Sequence, residues 1–200
     1  MLFRSTLVMS VFTAYVGLVL RWCDASEAVF KYQSDGRFSP RIENTIGSFA
    51  AALYLRIRLL EDDSFVDLMN RAAEEYCRAY EHADFSYMAA QVPRPEFTGN
   101  PAFNWVPQVS KIDLSGLDGS ENTIKCFPVH FAHPMLKKLD MDNEPTIVLH
   151  DTDNEVIGGV HFPLNRFSVN TMERFARNFL VFVGALLRQP NGRVKETVLL

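Results

Sequence analysis

The sequence contains little cysteine and no concentration of basic charge. Its 200 residues include three cysteines, Cys23, Cys77 and Cys126, which are too few for a disulfide scaffold. The 20 basic and 24 acidic side chains give a net charge of -4, and no basic block is present that could neutralise a phosphate backbone. The composition therefore predicts no nucleic-acid partner.

Patterns that announce catalysis or a cofactor are also missing. No Gly-rich phosphate loop follows a predicted strand, and there is no Gly-x-Ser-x-Gly nucleophile elbow. His130 and His133 are weak candidates for a shared metal ion because imidazole suits zinc. No thiolate or carboxylate completes a known ligand spacing around them. We therefore expect no cofactor, no bound metal and no catalytic residue.

The N-terminal segment has the order of a secretory signal peptide. Arg4 precedes an uncharged segment, residues 5–20, and small residues follow at Ala25 and Ser26. The uncharged segment is shorter than the roughly 18 to 20 residues that cross a bilayer as a helix. We predict a cleaved signal at residues 1–26, with a signal anchor or a buried element of the fold as alternatives. The predicted location is the endoplasmic reticulum lumen or the secreted fraction, or a membrane if the segment is retained.

The rest of the chain divides into a polar lead-in, one main domain and a tail. Residues 27–44 are polar and mixed, which predicts irregular structure. The main domain is expected at residues 45–190, with a C-terminal tail at 191–200. Its first element is predicted as a strand from Leu53 to Leu59, because apolar residues alternate there. A helix over residues 46–60 is the alternative.

A clear amphipathic helix and a proline-rich segment follow. Ser64 is the expected N-cap of a helix that ends near His82, with apolar residues three and four apart. The four prolines of residues 91–107 predict a long loop or insertion, because proline removes a backbone donor. The aromatic residues Phe97, Phe103 and Trp105 in this segment are expected to anchor it to the domain. A partner-facing patch is the alternative.

The second half of the chain alternates strands with helices. Both "VSKIDLSG" and "TIKCFPVHF" are strand candidates. The remaining predicted elements, in order, are a short helix from Pro134 to about Met141, strands at Thr146–His150 and Val156–Phe162, and a long helix entered through Asn170 and Glu173. The apolar stripe of the last helix is Met172, Phe175, Phe179, Phe182 and Leu186.

The segment "LKKLDMDNEPTIVLHD", followed by a second strand and the closing helix, resembles domains of the protein disulfide isomerase family. The resemblance implies an α/β fold, a thioredoxin-like three-layer sandwich with a mixed sheet, preceded here by the apolar targeting segment. In that family a cis proline precedes the third strand, and the matching residue is Pro145. The resemblance also implies that Glu144, Pro145 and Thr146 form a binding face.

The chain departs from redox-active members of that family at the first helix. The stretch "LLEDDSF" carries two aspartates and a serine where such members have Cys-x-x-Cys. We therefore expect a redox-inactive, chaperone-like module that binds a protein or peptide client and assists folding. One alternative is a thiol-disulfide oxidoreductase that uses Cys23, or Cys77 with Cys126. The last two cysteines are also a possible disulfide. The other alternative is a membrane-anchored accessory subunit.

Overall fold

The protein is described here from a computed structural model, over residues 6–37, 39–42, 45–47, 49–83, 100–106, 111–113, 123–125, 145–152 and 155–199. The elements are α1 (Leu7–Trp22), β1 (Glu27–Ser34), β2 (Ala51–Arg58), α2 (Phe65–Glu81), β3 (Ala102–Val106), β4 (Lys111–Asp113), β5 (Thr123–Lys125), β6 (Thr146–Asp151), β7 (Val156–His161), α3 (Val169–Arg188) and a 3-10 turn (Val194–Glu196).

A mixed five-stranded sheet forms the centre of the fold. Its strand order is β2-β1-β3-β6-β7. β1 runs antiparallel to β2 and parallel to β3, β3 runs parallel to β6, and β6 forms an antiparallel hairpin with β7. β4 and β5 form a separate antiparallel pair. Side chains from α1, α2 and α3 share one hydrophobic core with one face of the five-stranded sheet.

The N-terminal apolar segment is a core helix, so the prediction of a targeting segment is wrong. Thr6 caps α1, its hydroxyl accepting a hydrogen bond from the Met9 N–H. Residues 12–20 of α1 are all buried. A helix that is apolar on every side is either in a membrane or enclosed by its own protein, and α1 is enclosed by the sheet, α2 and α3. No helix in the described ranges is long and apolar enough to cross a membrane.

Residues 27–34 form β1, so the prediction of an irregular lead-in is wrong for this stretch. Phe30, Tyr32 and Ser34 are buried, and the residues between them are half-buried. This is the period of a strand with one covered face. The side chains of Phe30 and Tyr32 pack against Phe12 of α1, with ring centroids 6.3 and 5.2 Å apart.

The next two elements agree with the sequence. β2 confirms the predicted strand, with Leu53, Leu55 and Ile57 buried and the residues between them exposed, so the alternative helix is wrong. α2 confirms the predicted helix. Ser64 is its N-cap in a capping box with Asp67, which satisfies backbone donors at both residues.

The proline-rich segment contains a central strand, so the prediction of a loop is wrong for residues 102–106. β3 lies between Pro101 and Pro107, and no proline falls inside it. Phe103 is fully buried and Trp105 packs against the core, which confirms that they anchor this segment. Residues 91–99 lie outside the described ranges.

The closing hairpin and helix also agree with the sequence, apart from the helix cap. β6 and β7 confirm the two predicted strands. α3 confirms the long helix, and all five residues of its predicted apolar stripe are buried. Its N-cap is Ser168, whose hydroxyl accepts from the Thr171 N–H, and not Asn170 as predicted. The short helix predicted from Pro134 lies outside the described ranges.

Candidate functional site on the open face of the sheet

The five-stranded sheet has one face that the three described helices leave uncovered, which we call the open face. Most helix-facing residues of β1, β2, β3 and β6 are buried, and register with β6 assigns those of β7, so the alternate residues identify the open face. These open-face residues are Glu27, Val29, Lys31 and Gln33 of β1, Ala52, Tyr54, Arg56 and Arg58 of β2, Ala102, Asn104 and Val106 of β3, Thr146, Val148 and His150 of β6, and Ile157, Gly159 and His161 of β7.

Strand register aligns these side chains in rows across the sheet. In the central row, Gln33 pairs with Asn104, which pairs with Val148 and then Gly159. The row beside it is Tyr54, Lys31, Ala102, Thr146 and His161. Side chains directly opposite each other on neighbouring strands lie within contact range. Two carboxamides therefore stand side by side near the middle of the open face, flanked by an amine, a hydroxyl and an imidazole.

Asn104 lies at the centre of this arrangement. It is half-buried, and no described side chain or carbonyl forms a hydrogen bond with its carboxamide. The neighbouring Gln33 carboxamide is held in place by a bond to the Ala51 carbonyl, with an N–O distance of 3.2 Å. A carboxamide offers both donors and an acceptor, which match the N–H and C=O of a peptide group. The open face can therefore bind an amide-bearing chain.

A cluster of ion pairs lies at the β2 edge of the open face. Each oxygen of the Glu27 carboxylate accepts a hydrogen bond, one from Arg56 and one from Arg58, both at 2.7 Å. These hydrogen bonds hold the pKa of Glu27 below its ordinary value. The cluster is exposed to solvent, so it contributes charge at the rim more than stability.

Of the three residues predicted to bind a client, the structure places one, Thr146, on the open face. Thr146 is the first residue of β6 and lies on the open face between Ala102 and His161. Pro145 is half-buried, and its carbonyl accepts a hydrogen bond from the Ala102 N–H at 2.9 Å. Glu144 lies outside the described ranges, and the predicted cis bond to Pro145 therefore stays a prediction.

Of the three cysteines, the structure describes Cys23 and Cys77, which lie on different helices and are both free thiols. Cys23 lies in the C-cap of α1, at the edge of a cavity of about 420 Å³, and burial raises the pKa of its thiol. A raised pKa leaves less thiolate, which is the nucleophilic form. Cys77 is exposed on α2. Cys126 and the two weak metal candidates, His130 and His133, lie outside the described ranges, so the possible disulfide and the expected absence of a bound metal at these histidines both stay predictions.

Metal-ligating side chains do not cluster in the part of the chain that the structure describes. No group of three histidine, cysteine, aspartate or glutamate residues there could hold a metal ion. His150 and His161 lie on neighbouring strands of the open face, but their partners across the hairpin are Ile157 and Thr146. The described open face thus combines hydrogen-bonding side chains with small and apolar ones and has no metal-ligand cluster.

Sequence reasoning missed Asn104, Lys31 and Gln33 as site residues. They fall in segments predicted to be loop or lead-in, where no side-chain direction could be assigned. The alternation of Phe30 and Tyr32 with polar residues was the signal that could have identified β1. The position of Asn104 in the middle of a sheet depends on pairing with β1 and β6, which no local pattern specifies.

Residues 4–200 match the family model described as the condensation domain. The chain therefore belongs to the condensation-domain family. Gramicidin S synthase 2 of Brevibacillus brevis is 23% identical over 98% of this chain, which corresponds to 4% of that protein. Tyrocidine synthase 3 of Brevibacillus parabrevis is 22% identical over 96% of this chain and 3% of that protein.

Solved condensation domains have the same fold. The first condensation domain of the calcium-dependent antibiotic synthetase, solved with a substrate analogue, superposes with a TM-score of 0.75 at 17% identity, over 98% of this chain and 42% of that one. The starter condensation domain of rhizomide synthetase gives a TM-score of 0.72 at 15% identity, over 97% and 45%. The chain thus spans less than half the length of these condensation domains.

These comparisons overturn the resemblance to protein disulfide isomerase domains. The fold is that of a condensation domain and not a thioredoxin-like three-layer sandwich. A β-hairpin followed by an amphipathic helix carried the resemblance, but the strands upstream form a hairpin at the opposite side of the sheet. The prediction of a redox-inactive, chaperone-like module of the secretory pathway is wrong as well. The predicted location, the endoplasmic reticulum lumen or the secreted fraction, stays an untested prediction. The targeting segment on which it was based is part of the core.

Proposed function

We propose that this chain takes part in the condensation step of nonribosomal peptide synthesis. In that step the nitrogen of an amine attacks an activated acyl carbonyl, a peptide bond forms, the leaving group departs and the nitrogen loses a proton. The observation that carries the proposal is the family match over residues 4–200 together with the shared fold. The open face supplies the kind of surface that such a substrate needs.

The partner class predicted from the sequence, a protein or peptide, is retained and becomes more specific. We propose a peptidyl carrier protein domain as the partner and the acyl or peptidyl chain that it presents as the ligand. Such a chain carries repeated amide groups. Asn104 and Gln33 would pair with an amide group, while Thr146 and Lys31 line the next row.

In this proposal the described residues orient the substrate and do not transfer protons. Peptide-bond formation gains rate when the two reacting groups are held in the right geometry. Asn104 suits that role because its carboxamide has no competing partner among the described residues. The Glu27 carboxylate of the open face is paired with the guanidinium groups of Arg56 and Arg58, which are not proton acceptors, and no described histidine of this face is hydrogen-bonded to a carboxylate, so no general base is assigned.

The experiment is a condensation assay with matched asparagine variants. The protein is supplied with an acyl donor and an amine acceptor, each on a carrier protein domain, and amide product is quantified by mass spectrometry. Asn104→Ala should reduce product at least about tenfold, as expected for loss of a positioning contact. Asn70→Ala, on the exposed side of α2, should leave product formation unchanged. Equal rates for the two variants and the unmodified protein would contradict the role of the open face.

A further inference from the structure

The C-terminal segment, residues 190–199, crosses the helical side of the domain. We call it the strap. Its backbone is bonded to the first turn of α2 and to the turn before that helix: the Val66 N–H donates to the Pro190 carbonyl at 3.2 Å, and the Val194 N–H donates to the Asp63 carbonyl at 2.9 Å. One isolated β-bridge joins Ser64 to Arg193. The strap is therefore attached to the fold by a few specific bonds and not by a strand ladder.

The Val194 side chain is the central apolar contact of the strap. It is fully buried in the hydrophobic core. It enters a notch at Gly17 of α1, where α2 contributes Leu68 and α3 contributes Phe182. A Cβ placed on Gly17 would lie 3.2 to 3.4 Å from atoms of these three side chains. Glycine at this position therefore lets the strap and all three helices meet.

Arg21, in the last turn of α1, holds the strap from the other side. Its guanidinium donates to the Val194 carbonyl at 3.1 Å and also to the Thr197 carbonyl. It lies over the ring of Phe182, 5.9 Å from the centroid. Partial burial lowers the pKa of Arg21. The carbonyls of the strap thus provide hydrogen-bond acceptors for a guanidinium that is partly withdrawn from water.

The turn that binds the strap contains one buried carboxylate, Asp63, and two exposed ones, Glu61 and Asp62. The buried Asp63 carboxylate accepts hydrogen bonds from the Leu60 N–H at 2.7 Å and from the Arg71 guanidinium at 3.0 Å. By contrast, the side chains of Glu61 and Asp62, which pair with Lys195 and Arg193 of the strap, are more than three-quarters exposed. Exposed ion pairs stabilise little and are screened by salt. Val194 and Arg21 are therefore the main attachments.

We propose that the strap opens and closes as a unit, independently of the sheet. Its attachments are local, and segments held by few contacts open at a lower free energy than strands of the core. Opening would withdraw Val194 from the notch, expose an apolar site bounded by Gly17, Leu68 and Phe182, and release the guanidinium of Arg21. The strap is then a conformational device that reversibly covers a site between the three helices.

Native-state hydrogen exchange on the full chain tests this proposal. The amides of Val194, Glu196 and Thr197 each donate a backbone hydrogen bond in the closed strap. They should exchange together, at least about tenfold faster than the amides of β1 and β3, and with weak dependence on denaturant. Exchange of the strap amides at the rate of the sheet amides, with the same denaturant dependence, would overturn the proposal.

Two variants and one control identify the attachments. Val194→Ala should speed exchange of the strap amides by a further tenfold or so, and that of the β1 and β3 amides by no more than the same factor, because the variant destabilises the closed state relative to both the open strap and the unfolded chain. Arg21→Gln should also speed exchange of the strap amides, because it removes the hydrogen bonds to the strap carbonyls. It therefore provides an independent test if Val194→Ala does not fold. Lys195→Ala removes only the exposed pair with Glu61 and should change strap exchange less than about twofold. A larger effect for Lys195→Ala than for Arg21→Gln would contradict the assignment of Arg21.

Discussion

The two faces of the five-stranded sheet differ in what covers them and in what their side chains offer. On the helix-facing side, the rings of Phe12, Tyr32 and Phe103 pack with centroids 5.1 to 5.5 Å apart. On the open face, the alternate positions of the same strands carry amides, a hydroxyl and an amine. Packing residues and hydrogen-bonding residues thus alternate along one strand, so substitutions at neighbouring positions should have different consequences for stability.

The largest expected effect comes from Phe103→Ala on the helix-facing side of β3. Truncating a fully buried phenylalanine removes apolar contacts and leaves a cavity, so we expect a loss of about 3 to 5 kcal/mol in the free energy of unfolding. Its neighbour Asn104 faces the other way, and its side chain forms no hydrogen bond with any residue in the described ranges. Asn104→Ala should change stability by less than about 0.5 kcal/mol. Urea unfolding of both variants measures the difference, and similar losses would break the comparison.

Two adjacent glycines of the edge strand β7 test the same difference between the two faces of the sheet: Gly158 lies on the helix-facing side and Gly159 on the open face. A Cβ on Gly158 would lie 2.1 Å from the Val148 carbonyl oxygen and 2.8 Å from the Leu149 side chain, whereas a Cβ on Gly159 would have no neighbour within 4 Å. Gly158→Ala should therefore cost about 2 to 3 kcal/mol through forced movement of the hairpin. Gly159→Ala should have almost no effect. Thermal unfolding monitored by circular dichroism compares them, and equal melting temperatures would contradict this packing.

Charged groups should also differ in their effect on stability according to burial, and the buried carboxylate of Asp63 is the first case. Burial raises the pKa of Asp63, but hydrogen bonds from Arg71 and the Leu60 N–H outweigh it and hold the pKa below its ordinary value. Its stabilisation is therefore present above about pH 4, the ordinary Asp value, and is lost as the pH falls through the lowered pKa. Asp63→Asn should cost about 2 kcal/mol at pH 7. The difference from the unmodified protein should shrink in acid, and a constant difference down to pH 2 would argue against this role.

The smallest expected effect belongs to the exposed ion-pair cluster at the rim of the open face. Glu27→Gln removes the partner of Arg56 and Arg58 but leaves no buried charge behind. Solvent-exposed pairs are screened, so stability should not change beyond experimental error, and any change should disappear in high salt. Unfolding curves at low and high ionic strength test this expectation. A large, salt-independent loss would mean that the rim supports the fold.

The sequence predicted those elements whose apolar periodicity is local. The stripe of α3 and the alternation of β2 specify a buried face by themselves, and Ser64 identifies the start of α2 through its capping chemistry. The sequence of α1 is largely apolar on all sides, so it lacks the amphipathic pattern from which a buried face could be predicted. Its composition fits a signal peptide and an enclosed helix equally well, and only the packing of α2 and α3 around it decides between them.

The candidate site was predicted less well than the fold elements, for a physical reason. Thr146 was named because the proline before it suggested a known family, and it does lie on the open face. Asn104 could not be named, since its exposure depends on which strands flank β3 and on their register. A one-residue shift of β3 would place Asn104 on the core side of the sheet. Sites built on central strands therefore require the tertiary pairing before their side chains can be assigned.

The most direct test of the central claim is nitrogen-15 NMR of side-chain amides during titration with an acyl-loaded carrier protein domain. We expect the carboxamide signals of Asn104 and Gln33, on the open face, to shift with increasing partner concentration, while those of Asn70 on α2 and the buried Asn178 on α3 stay unchanged. The unloaded carrier domain should shift the Asn104 signals much less, because the proposed ligand is the acyl chain and not the carrier domain itself. Shifts confined to Asn70, with none at Asn104, would contradict the assignment of the open face as the binding surface.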